Sequence, residues 1–177
     1  MEIQTQRLLL RDYQESDFER VHLYASLPDF SQYDVWGPNS EDETRFFLKD
    51  CIEKSQVDHR FEFEFAIVLK ESNLLIGGCG IRRDWPRGSV ANLGYAVNPD
   101  FQKRGYATEA TKRLIQFGFE DLGLAVIYAT CDTRNTPSFQ VMENSNMKRV
   151  GEIKEHKKVR GVLRDSFCYE VLHPRFS

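Results

Sequence analysis

The chain has 177 residues, with 24 Lys and Arg against 27 Asp and Glu and a formal net charge of −3. Hydrophobic residues make up 41% and charged residues 29%, ordinary globular usage that excludes a disordered or fibrous chain. No apolar run approaches the ~18 residues of a membrane span, and the N-terminus lacks a basic-then-apolar leader. The expectation is a cytoplasmic protein, off the membrane, with a single domain over residues 1–177. The pI near 5.8 argues against direct nucleic-acid binding, which leaves a basic footprint, yet it permits a local basic pocket for a phosphorylated ligand. Cys51, Cys79, Cys131 and Cys168 form no CxxC pair and read as reduced, mostly buried thiols. The four histidines show no metal-ligand spacing, so no metal is expected.

In chain order, residues 3–13 read as a first strand. Ser16 and Glu19 have capping-box spacing and predict a short helix with Phe18, Val21 and Ala25 inward. An aromatic loop over residues 28–38 (Phe30, Tyr33, Trp36) precedes a second capping box, Ser40 and Glu43. Phe47, Leu48, Cys51 and Ile52 form the stripe of the helix that follows. Strict alternation from Phe61 to Phe65, an apolar run to Leu69 and a turn at residues 71–73 predict a hairpin into residues 74–76. Gly77, Gly78 and Gly80 read as a close-packing or bulge site. A third strand spans residues 90–97, ended by Pro99.

The longest helix is predicted over residues 105–122, with Ala107, Ala110, Leu114, Phe117 and Gly118 on its buried face and Gly123 as its stop. Residues 125–131 read as a buried strand. Pro137 suits the first turn of a further helix capped by Asn135 or Thr136 and ending near Ser145. Strands near residues 148–154 and 166–172 close the chain. This order predicts an α/β (α+β) domain with a mixed, mostly antiparallel sheet and one β-α-β unit.

The most informative stretch is the strand-to-helix turn Gln102-Lys103-Arg104-Gly105-Tyr106-Ala107-Thr108. A helix start leaves about four amides unpaired and carries roughly half a positive charge, so it binds anions. Gly105 lets a phosphate approach the backbone, Ala107 keeps the next turn small, and Lys103 and Arg104 add charge. The turn has neither the GxxxxGK[ST] nor the GxGxxG form.

The sequence resembles the GCN5-related N-acetyltransferase family, in particular its ribosomal-protein N-terminal acetyltransferase branch. The turn matches the family's [QR]-x-x-G-x-[GA] loop, and Asn135-Thr136-Pro137-Ser138 matches its N-x-x-S segment. Thr5-Gln6-Arg7-Leu8-Leu9-Leu10-Arg11 followed by Glu15-Ser16-Asp17 looks like the branch's opening. Trp36-Gly37-Pro38 and Arg164-Asp165 before Tyr169 extend the likeness over the whole chain. The resemblance implies the acyl-CoA N-acyltransferase fold and acetyl-CoA as co-substrate. It assigns the pyrophosphate to Gln102, Lys103 and the amides from Arg104 to Thr108. It assigns the pantetheine arm to the backbone of Ala96 and Val97 and to Asn135, the oxyanion to the Val97 amide, and the departing thiolate to Ser138. Homodimers or larger homo-oligomers occur in the family.

The implied reaction is direct attack of an amine on the thioester, without an acyl-enzyme. An α-amine titrates near 7.7–8.0 and is partly neutral at neutral pH, whereas lysine at about 10.4 is almost wholly charged. A protein N-terminal α-amine, the acceptor that the resemblance to the ribosomal-protein branch implies, therefore asks little of a general base. A small amine (antibiotic, polyamine or amino acid) and a silent acyl-CoA-binding module are the alternatives. The family's usual base position is Asn92 here, and Lys157 falls nearest another, with Glu155 and His156 beside it. The tyrosine some relatives use as an acid is Met142. The usual helix-ending Lys-x-Gly-Phe reads Asn144-Ser145-Asn146-Met147, which leaves that turn unexplained. No base is assigned from sequence.

Overall fold

A computed structural model describes residues 1–175. It contains strands β1 (Glu2–Gln4), β2 (Leu8–Asp12), β3 (Glu62–Leu69), β4 (Leu74–Arg83), β5 (Val90–Val97), β6 (Val126–Asp132), β7 (Lys148–Val159) and β8 (Val162–Leu172). Helices are α1 (Phe18–Ala25) and α2 (Glu41–Ser55) between β2 and β3, α3 (Tyr106–Glu120) between β5 and β6, and α4 (Thr136–Asn144) between β6 and β7. The strands form one sheet in the order β1-β2-β3-β4-β5-β6-β8-β7. Every neighbouring pair is antiparallel except β5 and β6. This is the mixed, mostly antiparallel α/β sheet that the element order predicts.

Strand alternation divides the core between the two faces. Leu8, Leu10, Phe63, Phe65, Ile67, Ile81 and Leu93 pack against Ala110, Leu114 and Phe117 of α3 and Met142 of α4. Phe117 meets Phe63 and Phe65 edge to face, with centroids 5.4 and 6.0 Å apart. On the other face Leu9, Ala66, Val68 and Leu75 lie under Tyr13, Val21, Tyr24, Ala25, Leu48 and Cys51 from α1, α2 and the segment before them.

Local signals decide several boundaries. Ser40 caps α2 as expected: its hydroxyl accepts from the Glu43 amide at 3.3 Å, and the Ser40 amide donates to Glu43 Oε2 at 2.8 Å. Asn146 explains the unusual end of α4. It adopts φ +64° in place of glycine, the Met147 amide reaches the Met142 carbonyl, and the Asn146 amide reaches that of Glu143. This is a Schellman closure, with Met142 and Met147 both buried beneath it. Gly123, φ +65°, stops α3 as read.

Three expectations are corrected. The first strand is two, because the Thr5 hydroxyl accepts from the Leu8 amide at 2.8 Å and folds β1 back onto β2. The box before α1 is formed by Gln14 and Asp17 around one 3-10 turn, not by Ser16 and Glu19. Asp17 wins because its buried carboxylate takes a bidentate ion pair from Arg11 at 2.7 and 2.8 Å together with the Gln14 amide. The closing strands are also longer than predicted and form a hairpin through Arg160 and Gly161, both at positive φ.

Candidate active site

α3 begins where the chain turns sharply after β5. Lys103 and Gly105 both have positive φ, +59° and +80°, the left-handed dihedral that recurs in anion-binding nests. Among the described residues, the amides of residues 103–108 find no main-chain acceptor, as a helix start requires. A Cβ at Gly105 would meet only an Arg7 guanidinium nitrogen at 3.5 Å. Glycine is therefore demanded there by the left-handed backbone and not by crowding from the protein itself.

Arg7 latches this turn to the β1–β2 hairpin. Its Nη1 donates to the Arg104 carbonyl at 3.0 Å, its Nε to Glu109 Oε2 at 2.7 Å, and its amide to Glu109 Oε1 at 2.8 Å. Its guanidinium also covers the Tyr106 ring at 4.5 Å. Burial alone would raise the Glu109 carboxyl, but hydrogen bonds from Thr5 and Arg7 outweigh it and hold the carboxyl below its ordinary value. Arg7→Ala should loosen the turn and lower stability by about 1 kcal/mol, the upper range for a half-exposed charged contact. The latch's stabilisation is fully present above about pH 4.3, the ordinary Glu value, and fades as pH falls through the lowered folded value. Melting temperatures of the wild type and Arg7→Ala should therefore converge as the medium is acidified; a constant gap would remove Glu109 from the latch.

The second feature is a gap in the sheet. β5 and β6 pair only over Val90–Val126, Ala91–Ile127 and Asn92–Tyr128, and beyond these β5 runs on, among the described residues, without a strand partner on that side, leaving a gap in the sheet. Main-chain direction alternates along a strand. The Asn98 amide donates to Ile76 at one end and Val90 accepts from Asp84 at the other, so residues 92, 94 and 96 turn their backbone groups toward β4. Residues 93, 95 and 97 turn theirs into the gap. This corrects the expected pair: the Ala96 backbone belongs to Gly78 in the β4 ladder, and Tyr95 joins Val97 on the open edge. The Val97 carbonyl is taken by Gln102 Nε2 at 2.9 Å, which makes Gln102 a brace between strand and loop and leaves the Val97 amide facing the gap.

The far wall of the gap is the start of α4. Asn135 is its cap: Oδ1 accepts from the Ser138 amide at 3.3 Å. The carboxamide nitrogen is not used by that cap. Tyr95 crosses from β5 and donates to the Ser138 carbonyl at 2.7 Å, with Ser138 Oγ 3.2 Å away. The Cys131 thiol is pushed up to about 11 by burial, with the Ser138 hydroxyl pulling it partly back. It is thus a protonated, weakly nucleophilic thiol at neutral pH.

The structure therefore brings residues 95–108, Asn135 and Ser138 around one gap. Tyr95 and Arg7 were missed by sequence reasoning, although Arg7 stands inside a segment that carried the resemblance. The polar residues near the expected base position do not converge there. Glu155 and His156 lie exposed on a bulged stretch of β7, and the Lys157 ammonium donates to Thr130 Oγ1 at 3.1 Å. Met142 is buried in the core.

The comparisons agree with this geometry. Residues 7–148 match the family described as the acetyltransferase (GNAT) domain. The chain is 28% identical over 177 residues to the N-acetyltransferase YnaD of Bacillus subtilis (strain 168), covering 100% of both. It superposes on a GNAT-family acetyltransferase from Bacillus anthracis with a TM-score of 0.87 and 31% identity, covering 97% of this chain and 98% of the other. It shares its fold with RimL, a ribosomal L7/L12 α-N-protein acetyltransferase solved with coenzyme A, at a TM-score of 0.86, 20% identity and 97% and 98% coverage. An unpaired strand edge facing a helix start across a gap, in a chain matched by this family along most of its length, leads to one conclusion: the chain belongs to the GNAT family and is an acetyl-CoA-dependent N-acetyltransferase.

Proposed function

We propose that residues 1–177 act as one catalytic domain that transfers acetyl directly to the α-amine of a protein or peptide N-terminus. The observation that carries direct transfer is the unpaired β5 edge, whose Tyr95 and Val97 main-chain groups face the start of α4. A pantetheine arm laid along that edge pairs like an added short strand. The free amides at the start of α3 hold the diphosphate of coenzyme A, with Lys103 and Arg104 adding charge and Gly105, Tyr106, Ala107 and Thr108 supplying the first turn. The Asn135 carboxamide nitrogen holds the arm from the opposite wall.

The Val97 amide stabilises the oxyanion as the amine adds to the thioester carbonyl. The C–S bond then breaks, and the sulfur takes a proton relayed through the Ser138 and Tyr95 hydroxyls. The high proton affinity of the Cys131 thiol argues against an acetyl-cysteine intermediate. The α-amine is favoured because part of it is already neutral at pH 7. RimL, which acts on a protein α-amine by its name, supports the reading by fold.

The test is an acceptor screen with acetyl-CoA, following thiol release with Ala- and Ser-initiated peptides, lysine peptides and polyamines. Preferred turnover of the peptide α-amines supports the reading. Preference for a polyamine or another small amine overturns the acceptor, and no turnover with any amine overturns transfer. Asn135→Ala should raise the acetyl-CoA KM about tenfold while lowering stability by only ~1 kcal/mol through the lost cap. An unaltered KM would remove Asn135 from the cofactor wall.

A further inference from the structure

The face of the sheet under α1 and α2 carries an unusual row. Glu64 of β3, Gly80 of β4 and Gly94 of β5 stand in register across the strands, so Glu64 supplies the only side chain in that row. Its carboxyl group lies over Gly80, with Cδ 2.5 Å from where a Cβ would stand. Beyond it, a Cβ on Gly94 would meet nothing within 4 Å. In the next row toward the gap the Tyr13 hydroxyl covers Gly78. The floor is therefore filled over β4 and open over β5, beside the backbone that leads to Tyr95 and Val97.

Glu64 Oε1 is buried and has no hydrogen-bond partner among the described residues. Arg82 Nε forms an ion pair with it at 2.5 Å. Arg82 thus holds the carboxyl over Gly80, next to the row position over Gly94 where a Cβ would meet nothing within 4 Å. The family's usual base position, Asn92, shares this face one row farther from the gap, beside Arg82.

We propose that Glu64 is the acceptor-binding carboxylate of the transfer reaction, holding the ammonium of the incoming amine over Gly94 and taking its first proton through one water. The deprotonated nitrogen then adds to the thioester carbonyl, the C–S bond breaks, and the nitrogen's second proton goes to the departing sulfur. The balance is an ammonium and a thioester giving an amide, a thiol and one proton, which Glu64 passes to solvent. The proposal rests on the acetyl-transfer reading and adds to it the group that recognises a cationic amine.

The charges and titratable groups facing Glu64 are Arg82 from β4, Lys54 and Cys51 from α2, Glu62 from its own strand, and Tyr13 and Cys79. Burial pushes the carboxyl up, and Arg82 and Lys54 pull it only part of the way back. Burial makes the group a stronger proton acceptor than a surface glutamate, as a general base requires.

The test compares the wild type with Glu64→Gln and Glu64→Asp on the best amine from the acceptor screen, and on hydroxylamine, whose nitrogen is already neutral at pH 7. Glu64→Gln should bind coenzyme A within twofold of wild type by calorimetry. It should lose about 100-fold in kcat/KM for the alkyl amine, far less for hydroxylamine, and the acid limb of the pH profile. Glu64→Asp should restore part of the rate and the limb. Turnover within threefold of wild type with the limb intact, or equal losses for both acceptors, would overturn the role of Glu64 while leaving acetyl transfer standing. Should the wild type bind coenzyme A yet acetylate no amine, the transfer reading falls and this proposal falls with it.

Discussion

Gly105→Glu should reduce coenzyme A affinity at least 100-fold while leaving the helical content of the protein unchanged. Gly105 sits at φ +80° immediately before α3, where a residue with a Cβ costs about 1–2 kcal/mol. The larger effect is electrostatic. The carboxylate would place a negative charge at the helix start, where the amides of residues 103–108 have no main-chain acceptor among the described residues, and would compete for those donors with a diphosphate held as proposed. Each hydrogen bond to a charged group contributes about 1.5–3 kcal/mol, so losing two of them already exceeds the roughly 2.7 kcal/mol of a 100-fold change. Gly105→Ala separates the terms, because it carries the conformational cost alone and should keep measurable affinity. Calorimetry on both variants decides the matter: wild-type affinity in Gly105→Glu would mean that the diphosphate lies elsewhere.

Gly77→Ala should be the most destabilising of the small substitutions in the sheet, lowering the melting temperature by roughly 6–12 °C. A Cβ on Gly77 would run into the Ala96 carbonyl oxygen and stand 2.9 Å from Val97 Cα. Both are backbone atoms of β5, so relief requires moving the strand. Overpacking of this kind costs about 3 kcal/mol, and a domain of this size loses about 2–4 °C per kcal/mol. Gly118→Ala is the matched comparison. Its Cβ would approach Ile127 Cδ1 at 2.7 Å, Ile81 Cδ1 at 2.9 Å and Leu124 Cδ1 at 3.1 Å, all ends of side chains that can rotate, and alanine gains about 1 kcal/mol over glycine within a helix. Thermal unfolding should rank Gly77→Ala far below Gly118→Ala. Only Gly77→Ala should also raise the acetyl-CoA KM, because it displaces the Val97 amide. Equal melting temperatures would show that β4 and β5 separate freely.

These two glycines mark the division between local and distant information. The turn at Gly105 was legible because it depends on its neighbours: a strand end, a turn and a helix start within a few residues. The Ser40 cap, the Asn135 cap and the Gly123 stop were legible for the same reason, since each is satisfied by a hydrogen bond or dihedral within one helical turn. The cluster of Gly77, Gly78 and Gly80 could be read as a close approach, but what approaches each glycine is set by register: Ala96 at Gly77, Tyr13 at Gly78 and Glu64 at Gly80.

The sequence by itself determined the family, the turn that starts α3 and the order of elements, because short-range hydrogen bonding and apolar periodicity constrain them residue by residue. Only the tertiary structure decided which β5 backbone groups face the gap, moving that role from Ala96 to Tyr95 alongside Val97. It alone joined Tyr95 to Ser138, Arg7 to Arg104 and Glu64 to the space over Gly94. Such contacts depend on strand register, and a slip of one residue would turn every side chain and every amide of β5 to the opposite side.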